Sequence, residues 1–346
     1  MDKTESRSRK RHRGQGRVTL ADVAKAAGVA PITVSRALNS PDRVSSKVRA
    51  RVEEAVEALG YVPNLIAGGL AAAGTKVIPV IVPSLSILTF IEVIHAIGQR
   101  LESAGYQMLL ASTDWDLDRE ADLVDTVLGY SPSGVILTGL RHRPRVVSRL
   151  KGWGRPVVEI MEYGESVIDM NVGVDGDSLG RAMATHLMAR GYQRIAFVGS
   201  NLDRDYRGRQ RMQGHQSALE QAGFDASWVL EYAEPASYAV GAQALREVMA
   251  MSPRPDALHC SNDILAAGAL LEANRQGVAV PGEVAIGGYL GLSIAEHLTP
   301  RLTTLAVPRA EMGTQAAELL LARLAGGDPE RPRRDIGFTL VEGDST

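Results

Sequence analysis

Apolar positions along the chain follow two different patterns. Between residues 18 and 60 they recur at helical spacing on short segments, whereas from Val77 onward compact apolar runs alternate with amphipathic stretches. A period near 3.6 is typical of helices, and short apolar runs bounded by turn residues are typical of buried strands. The first region therefore predicts a small helical unit, and the second predicts strands alternating with helices.

The helical unit carries local signals for three helices. Thr19, with Asp22 three positions later, predicts a capped helix start. Gly28 is expected to end that helix, and Pro31 suits the first position of a second helix that runs to about Leu38. A third helix is predicted after Ser45, and Gly60 closes it; its apolar positions are Val48, Val52, Ala55, Val56 and Leu59.

The second region predicts two series of strands and helices. Strands are expected at 77–82, 106–111, 134–138 and 157–161, and in a second series from about 177 at 194–199, 257–260, 284–288 and 336–341. Such alternation implies parallel sheets with right-handed crossovers. We therefore predict an α/β fold with an N-terminal helix-turn-helix headpiece and hinge, followed by two doubly wound parallel-sheet lobes. Ligands of such lobes bind at the carboxyl ends of the strands.

Charge separates the front of the chain from the rest. Residues 1–64 contain 13 lysines and arginines against 7 acidic residues and so carry +6; because the whole chain of 346 residues carries −2, the remainder carries −8. A basic end on an acidic body indicates that one end meets a polyanion. Residues 1–17 are predicted to be a disordered basic tail, which either touches DNA phosphates or is simply solvated.

Cysteine content and hydropathy restrict the compartment. Cys260 is the only cysteine, so no internal disulfide can form, which fits a reducing environment. No apolar block follows the basic N-terminus, and no run of about 18 apolar residues occurs that could span a membrane. We expect a cytoplasmic protein with no membrane association.

Motifs for catalysis are missing from the sequence. It contains no GxSxG, HExxH or P-loop string, no GxGxxG after the first strand, and its seven histidines are scattered. We therefore predict a binding protein with no enzymatic activity, cofactor or metal. A solute-binding protein would explain residues 77–346 but not the basic headpiece, and the missing glycine fingerprint argues against a dehydrogenase-like enzyme.

The second predicted helix carries groups that suit a DNA groove. Thr33, Ser35 and Arg36 offer hydrogen bonds, Arg36 can reach a guanine edge or a phosphate, and Ile32 can pack on a thymine methyl. The pattern taken alone also fits an ordinary helical hairpin.

A longer stretch makes the assignment more specific. The segment VTLADVAKAAGVAPITVSRALN, continued by VSSKVRARVEEAVEALGYVPNLIAGGLA, resembles the N-terminal module of the LacI/GalR family of transcriptional regulators. The resemblance implies a homodimer that reads a pseudo-palindromic operator in double-stranded DNA. It implies base readout by Arg36 and main specificity positions at Pro31 and Ile32. It also implies contacts to the DNA backbone by Thr19, Thr33, Ser35, Asn39, Tyr61 and Asn64.

The hinge of this family corresponds to residues 64–70. By resemblance, Leu70 is the apolar wedge that kinks the operator in the minor groove. Gly68 and Gly69 each cost about 1 kcal/mol of helix propensity relative to alanine, so we expect this hinge to fold only on DNA. The expected domains are the DNA-binding domain 18–60, the hinge or linker 61–76, and the effector-binding and dimerisation core 77–346.

The body resembles the core of the same family, which is of periplasmic-binding-protein type. Segments such as ILTGLRHRPR, SNLDRDYRGRQRMQG and EHLTPRLTTL are similar to the gluconate-utilisation repressor branch, which implies gluconate or a related aldonate or its phosphate as effector. A neutral sugar or a purine is the alternative. The family's sugar-binding aspartates are replaced by Met161 and Leu290, which favours an anionic ligand. Candidate effector-binding residues are Ser84, Phe90, Thr138, His142, Arg207, Arg211 and Asn262. No leucine heptads follow the last predicted strand, so dimers rather than tetramers are expected.

Overall fold

The computed structural model of the protein describes residues 18–62, 75–85 and 88–346. Its contacts separate two compact units, with the division between Thr75 and Lys76. None of the described helices is long and apolar enough to cross a membrane.

The headpiece is a three-helix unit around a small core. It consists of α1 (Leu20–Ala27), α2 (Pro31–Asn39), a short 3-10 turn (Pro41–Arg43) and α3 (Ser46–Leu59). Gly28 and Gly60 end α1 and α3 at φ of 62° and 61°, a left-handed conformation that glycine adopts without strain. The buried side chains are Val23, Ala24, Ala27, Val34, Ala37, Val52 and Ala55.

The first lobe is built on a six-stranded parallel sheet. The strands are β1 (Val77–Val82), β2 (Gln107–Ser112), β3 (Val135–Thr138), β4 (Val157–Glu162), β5 (Met170–Val174) and β11 (Arg333–Asp335). Their order is β11-β5-β4-β3-β1-β2. The helices of this lobe are α4 (Leu88–Ser103), α5 (Leu117–Leu128), α6 (Pro144–Trp153) and α12 (Arg309–Leu324).

The second lobe repeats this architecture. Its strands are β6 (Ile195–Ser200), β7 (Val229–Tyr232), β8 (Ala257–Cys260), β9 (Ala285–Leu290), β10 (Thr303–Ala306) and β12 (Thr339–Val341), in the order β12-β10-β9-β8-β6-β7. Only β12 runs antiparallel to its neighbour within this sheet. The helices are α7 (Gly176–Ala189), α8 (Tyr206–Gln221), α9 (Tyr238–Ala250), α10 (Asp263–Gln276) and α11 (Ile294–His297).

The fold class is confirmed: a helix-turn-helix comes first in the chain, and two parallel-sheet lobes follow it. Strands such as β3, β4, β6, β8 and β9 are buried along their whole length, as expected when helices cover both faces of a sheet.

The chain, however, does not complete one lobe before it begins the other. It crosses between them after β5, returns after β10 to form α12 and β11 in the first lobe, and crosses again to β12. The strand predicted at 336–341 is observed only at Thr339–Val341, as β12. It is preceded by the edge strand β11, which was not predicted because its residues are polar and form no apolar run.

Candidate DNA-reading surface and effector cavity

Helix α2 presents a mixed apolar and basic surface. Val34 and Ala37 are buried in the headpiece core, whereas Ile32 is 58% exposed and Arg36 is also exposed. The helix begins at Pro31, and its N-cap, Ala30, makes no side-chain cap hydrogen bond. Thr33 and Ser35 are half-buried.

Thr19 and Tyr61, both predicted to contact DNA, also have structural roles in the headpiece. The Thr19 hydroxyl accepts from the Asp22 amide at 3.3 Å and the Thr19 amide donates to Asp22 Oδ2 at 2.9 Å, which forms the predicted capping box. Tyr61 packs against the headpiece core. The side chain of Asn39, the hinge positions Asn64 and Leu70, and the tail 1–17 lie outside the described residues.

A cavity of about 720 Å³, including its mouth to solvent, lies where the strand ends of the two lobes face each other. We call it the effector cavity because four residues predicted to bind the effector, Phe90, Arg207, Arg211 and Asn262, line it. Its lining comprises Thr89, Phe90, Trp115 and Met161 from the first lobe, and Ser200, Asn201, Asp205, Arg207, Arg211, Pro235, Ala236, Asn262, Ile264, Tyr289 and Leu290 from the second.

Arg211 is held in the cavity wall by one carboxylate and one ring. Its Nη2 lies 3.6 Å from Asp205 Oδ2, and its guanidinium carbon is 4.3 Å from the centre of the Tyr289 ring. Asp205 caps α8 by accepting the Gly208 amide at 3.1 Å, so the capping residue also positions Arg211. The Arg211 side chain is 7% exposed, and its Nε has no hydrogen-bond partner among the described residues. This Nε–H group can therefore donate to an acceptor on a ligand.

Arg207, one turn earlier on α8, is surrounded by aromatic rings. Its guanidinium carbon lies 5.3 Å from the centre of the Trp115 ring, 5.5 Å from that of Tyr206 and 5.9 Å from that of Phe90. It forms no ion pair within 4 Å in the described part of the chain, although it is only 7% exposed. Rings hold a guanidinium by cation–π attraction without neutralising it.

Neutral polar groups complete the second-lobe wall. Asn262 caps α10 through Oδ1, which accepts the Ile264 and Leu265 amides at 3.1 Å each. With Oδ1 occupied, the Asn262 amide nitrogen is the group that can donate to a ligand. Asn201, directly after β6, also lines the cavity.

Strained backbone concentrates at this cavity. Six non-glycine residues in the described ranges have positive φ, and four of them line the cavity: Trp115, Met161, Asn201 and Leu290. Asparagine tolerates this conformation, but Leu290 at φ 121° and Met161 at φ 78° do not adopt it readily. Such outliers persist where the surrounding structure enforces them, and they cluster at functional sites.

Three predicted effector residues lie away from the cavity, whereas Phe90, Arg207, Arg211 and Asn262 line it. Ser84 is half-buried and absent from its wall. The Thr138 hydroxyl donates to the Ile81 carbonyl at 3.0 Å and is buried in the sheet.

His142 is held inside the first lobe instead of facing the cavity. Its Nδ1 lies 2.7 Å from Glu120 Oε1, and its Nε2 lies 3.2 Å from Glu159 Oε1 and 3.0 Å from the Gly139 carbonyl. Two buried carboxylates, one of them on the distant helix α5, draw the imidazole inward and leave none of its side chain exposed.

Trp115, Asp205, Asn201 and Tyr289 were not predicted. Asn201 directly follows β6 and Trp115 lies three residues after β2, so both obey the rule that ligands bind at the carboxyl ends of strands. Tyr289, at the carboxyl end of β9, obeys the same rule, whereas Asp205 carries no comparable signal, because its role depends on Arg211.

Comparisons with known proteins agree with this architecture. The family described as bacterial regulatory proteins, lacI family, matches residues 19–64, and the periplasmic binding protein-like domain matches residues 184–346. The chain is 38% identical to the HTH-type transcriptional regulator GntR of Pseudomonas aeruginosa, over 97% of this chain and 98% of the relative. It is 36% identical to the regulator of the same name in Escherichia coli strain K12, over 95% and 98%.

A solved structure is similar to this chain over most of its length. A LacI family transcriptional regulator from Silicibacter pomeroyi superimposes with a TM-score of 0.89 at 36% identity, covering 95% of this chain and 99% of the other.

Proposed function

Because this chain belongs to the lacI family of bacterial regulatory proteins, we propose that it represses sugar-acid catabolism genes and that a sugar acid bound in the effector cavity controls its DNA affinity. The expected effector is gluconate or 6-phosphogluconate. Effector binding changes operator affinity in this proposal by the usual allosteric coupling of about 1–3 kcal/mol.

The charge of the effector cavity supports an anionic effector. Arg207 and Arg211 face one lining carboxylate, Asp205, which is already engaged with Arg211. The wall therefore holds two buried positive charges and one carboxylate, and the buried Glu162 carboxylate outside the wall also acts on Arg207. A ligand carboxylate would bind to these arginines, since charge-assisted hydrogen bonds to arginine are strong and geometrically selective. Met161 and Leu290 add no carboxylate for sugar hydroxyls.

The aromatic rings of the cavity favour a second candidate effector. Phe90, Trp115 and Tyr289 could stack on a purine, and the polar groups of Asn201 and Asn262 could bind its edge. Replacement of Arg207 or Arg211 should weaken the binding of a sugar acid but not the binding of a purine, which distinguishes the two candidates.

Calorimetric titration of the full chain tests the effector. Gluconate, 6-phosphogluconate, 2-ketogluconate, ribose and hypoxanthine are the probes. Arg211→Gln should weaken sugar-acid binding by roughly 10- to 100-fold, the equivalent of about 1.5–3 kcal/mol for a hydrogen bond to a charged group. Arg207→Gln should weaken it similarly.

Arg209 provides the matched control, because it lies between these two arginines on α8 but pairs with Asp203 at 3.0 Å on the surface. Arg209→Gln should bind like the wild type. Tight binding of hypoxanthine or ribose alone would refute the sugar-acid assignment.

We propose that α2 is the recognition helix of the DNA-binding headpiece. Exposed Arg36 contacts a base edge and exposed Ile32 contacts a thymine methyl in the major groove. Arg36→Ala should cost about 1–3 kcal/mol of operator affinity and relax specificity at one base pair. Gel-shift titrations on the DNA upstream of the protein's own gene, with single-base variants, measure both effects.

Arg49 on α3, paired with Glu53 at 3.4 Å, is the comparison for this assay. Any loss caused by Arg49→Ala should be uniform across sequences, as for a phosphate contact. A uniform loss caused by Arg36→Ala would contradict base readout.

A homodimer is part of the proposed function. Ile91 on α4 and Leu109 on the edge strand β2 are 49% and 40% exposed, on two elements that contact each other. A second copy of the chain would cover them. Sedimentation should give a dimer for the wild type and a monomer for the Ile91→Asp, Leu109→Asp double variant; a monomeric wild type would refute this part.

A further inference from the structure

Arg309 connects the two lobes behind the effector cavity. It is the first residue of α12, directly after the chain returns from β10 to the first lobe. Its Nη1 donates to the Leu290 carbonyl, and its Nη2 lies 3.4 Å from the Gly291 carbonyl and 2.7 Å from Glu92 Oε1. Leu290 ends β9 in the second lobe and Gly291 follows it, whereas Glu92 lies on α4 of the first lobe. Because Arg309 is only 4% exposed, its bonds to the two carbonyls form out of water, where they are strong, whereas the Glu92 side chain is 52% exposed.

The turn that Arg309 holds is also fixed from the opposite side. Asp263 Oδ2 accepts the Leu292 amide at 2.7 Å, and Asp263 Oδ1 accepts the Thr304 hydroxyl at 2.6 Å. The Thr304 hydroxyl oxygen in turn accepts the Gly291 amide at 3.3 Å. These contacts hold Leu290 at φ 121°, a conformation that leucine does not keep by itself.

Both ends of the Arg309 connection adjoin the cavity wall. Leu290 lines the second-lobe side, and Thr89 and Phe90 line the first-lobe side at the start of α4, within one turn of Glu92. The guanidinium therefore links the backbone of one wall to the helix of the other.

We propose that Arg309 is a positioning residue for effector binding, which holds the Leu290–Leu292 turn and α4 at the separation that the ligand requires. The inference rests on the proposed function of the cavity as the effector site. When a protein already holds the arrangement that the ligand requires, binding costs no free energy for rearrangement, and the affinity is higher. If loss of the link reduces the competent population to about a tenth, the apparent Kd rises about tenfold.

Calorimetric titration of the full chain with gluconate tests affinity. Arg309→Met should raise the Kd about tenfold, and Arg309→Lys should fall between it and the wild type, because an ammonium cannot contact two carbonyls and a carboxylate as a planar fork does. Glu92→Gln keeps the carbonyl contacts and should give a smaller loss. The double variant Arg309→Met, Glu92→Gln should be no weaker than Arg309→Met alone.

The matched control is Arg323→Met, the same substitution on the same helix. Arg323 pairs with Asp169 at 3.4 Å and Asp328 at 3.1 Å, away from the effector cavity. It should bind gluconate like the wild type. Additive losses in the double variant, or wild-type affinity in a folded Arg309→Met, would overturn the proposal.

A second measurement does not depend on gluconate. Hydrogen exchange in the free full chain should be faster at residues 290–292 and 88–93 together in Arg309→Met and, to a smaller extent, in Glu92→Gln, but unchanged there in Arg323→Met. Unchanged exchange in both Arg309→Met and Glu92→Gln would overturn the positioning role even if gluconate binds. If the wild type does not bind gluconate while exchange changes as expected, the effector assignment fails and the positioning role of Arg309 stands. Should Arg309→Met not fold, the exchange and affinity of Glu92→Gln decide.

Discussion

Replacement of His142 by leucine should destabilise the folded chain by about 3–5 kcal/mol, the usual cost of removing one partner from a buried ion pair. Both ring nitrogens face acceptors: Glu120 Oε1 at 2.7 Å on one side, and Glu159 Oε1 at 3.2 Å with the Gly139 carbonyl at 3.0 Å on the other. Only the imidazolium donates from both nitrogens, so the charged ring satisfies the site. Without it, the buried carboxylates of Glu120 and Glu159 lose their shared counter-ion.

The pH dependence of this contribution follows from the pKa of His142. Burial by itself lowers that pKa, but the hydrogen bonds and charges of Glu120 and Glu159 outweigh burial and raise it from 6.5 to about 10. Because the folded pKa is the higher one, the stabilisation is complete below the unfolded pKa of about 6.5. It then declines as the pH rises through about 10.

Urea unfolding followed by circular dichroism at pH 6 and pH 10 measures the effect. The free-energy difference between wild type and His142→Leu should be large at pH 6 and clearly smaller at pH 10. The exposed His95 on α4 supplies the control, since His95→Leu should change stability little at either pH. A His142→Leu protein that is as stable as the wild type but no longer binds the effector would refute this reasoning and restore His142 as a ligand contact.

Two further perturbations probe the second lobe and the contact between lobes. His215 and His259 are fully buried with their Nδ1 atoms 3.0 Å apart, and desolvation lowers the pKa of His215 to about 4 and that of His259 well below 6.5. Since the folded pKa values are the lower ones, stability should fall as the pH drops from about 6.5 towards 4. Thermal midpoints measured across this range, for the wild type and for a His215→Leu, His259→Phe variant, will show whether the pair causes the loss. Gly139→Ala would place a Cβ against the Tyr206 hydroxyl at a φ of 85°. It should lower the free energy of unfolding by about 1–3 kcal/mol, as overpacking does, and weaken effector binding. Gly152→Ala, in open space on α6, should be harmless, and equal effects of the two substitutions would contradict the steric argument.

The headpiece was predictable because its signals are local. The Thr19–Asp22 box, Gly28, Pro31 and Gly60 each act within one turn of the backbone, so short sequence segments suffice to identify the helix ends. The alternation of strands and helices likewise predicted two parallel-sheet lobes. The three crossings between lobes were not predictable from this alternation, because the same elements could complete either sheet.

The effector cavity was predictable only in part. The family resemblance and the positions of strand ends pointed to Arg207, Arg211 and Asn262, but the sequence did not show that Asp205 and Tyr289 fix Arg211 from two sides. His142 shows the same limitation. Its position just after β3 suggests a cavity residue, whereas the two carboxylates that bind it come from α5 and β4, and only the packed lobe brings them together.

Two residues that join the lobes are linked directly to residues that line the cavity, one by a peptide bond and one by a hydrogen bond. Tyr206 accepts the Leu140 amide of the first lobe at 3.2 Å, and the next residue, Arg207, lies in the cavity wall. On the other side Arg309 binds the carbonyl of Leu290, whose side chain lines the cavity. A ligand that draws Arg207 or displaces Leu290 therefore acts directly on the contacts that set the arrangement of the lobes. Conversely, a partner that binds one arrangement of the lobes more tightly changes the affinity of the cavity for its ligand by the same factor, because binding linkage is reciprocal.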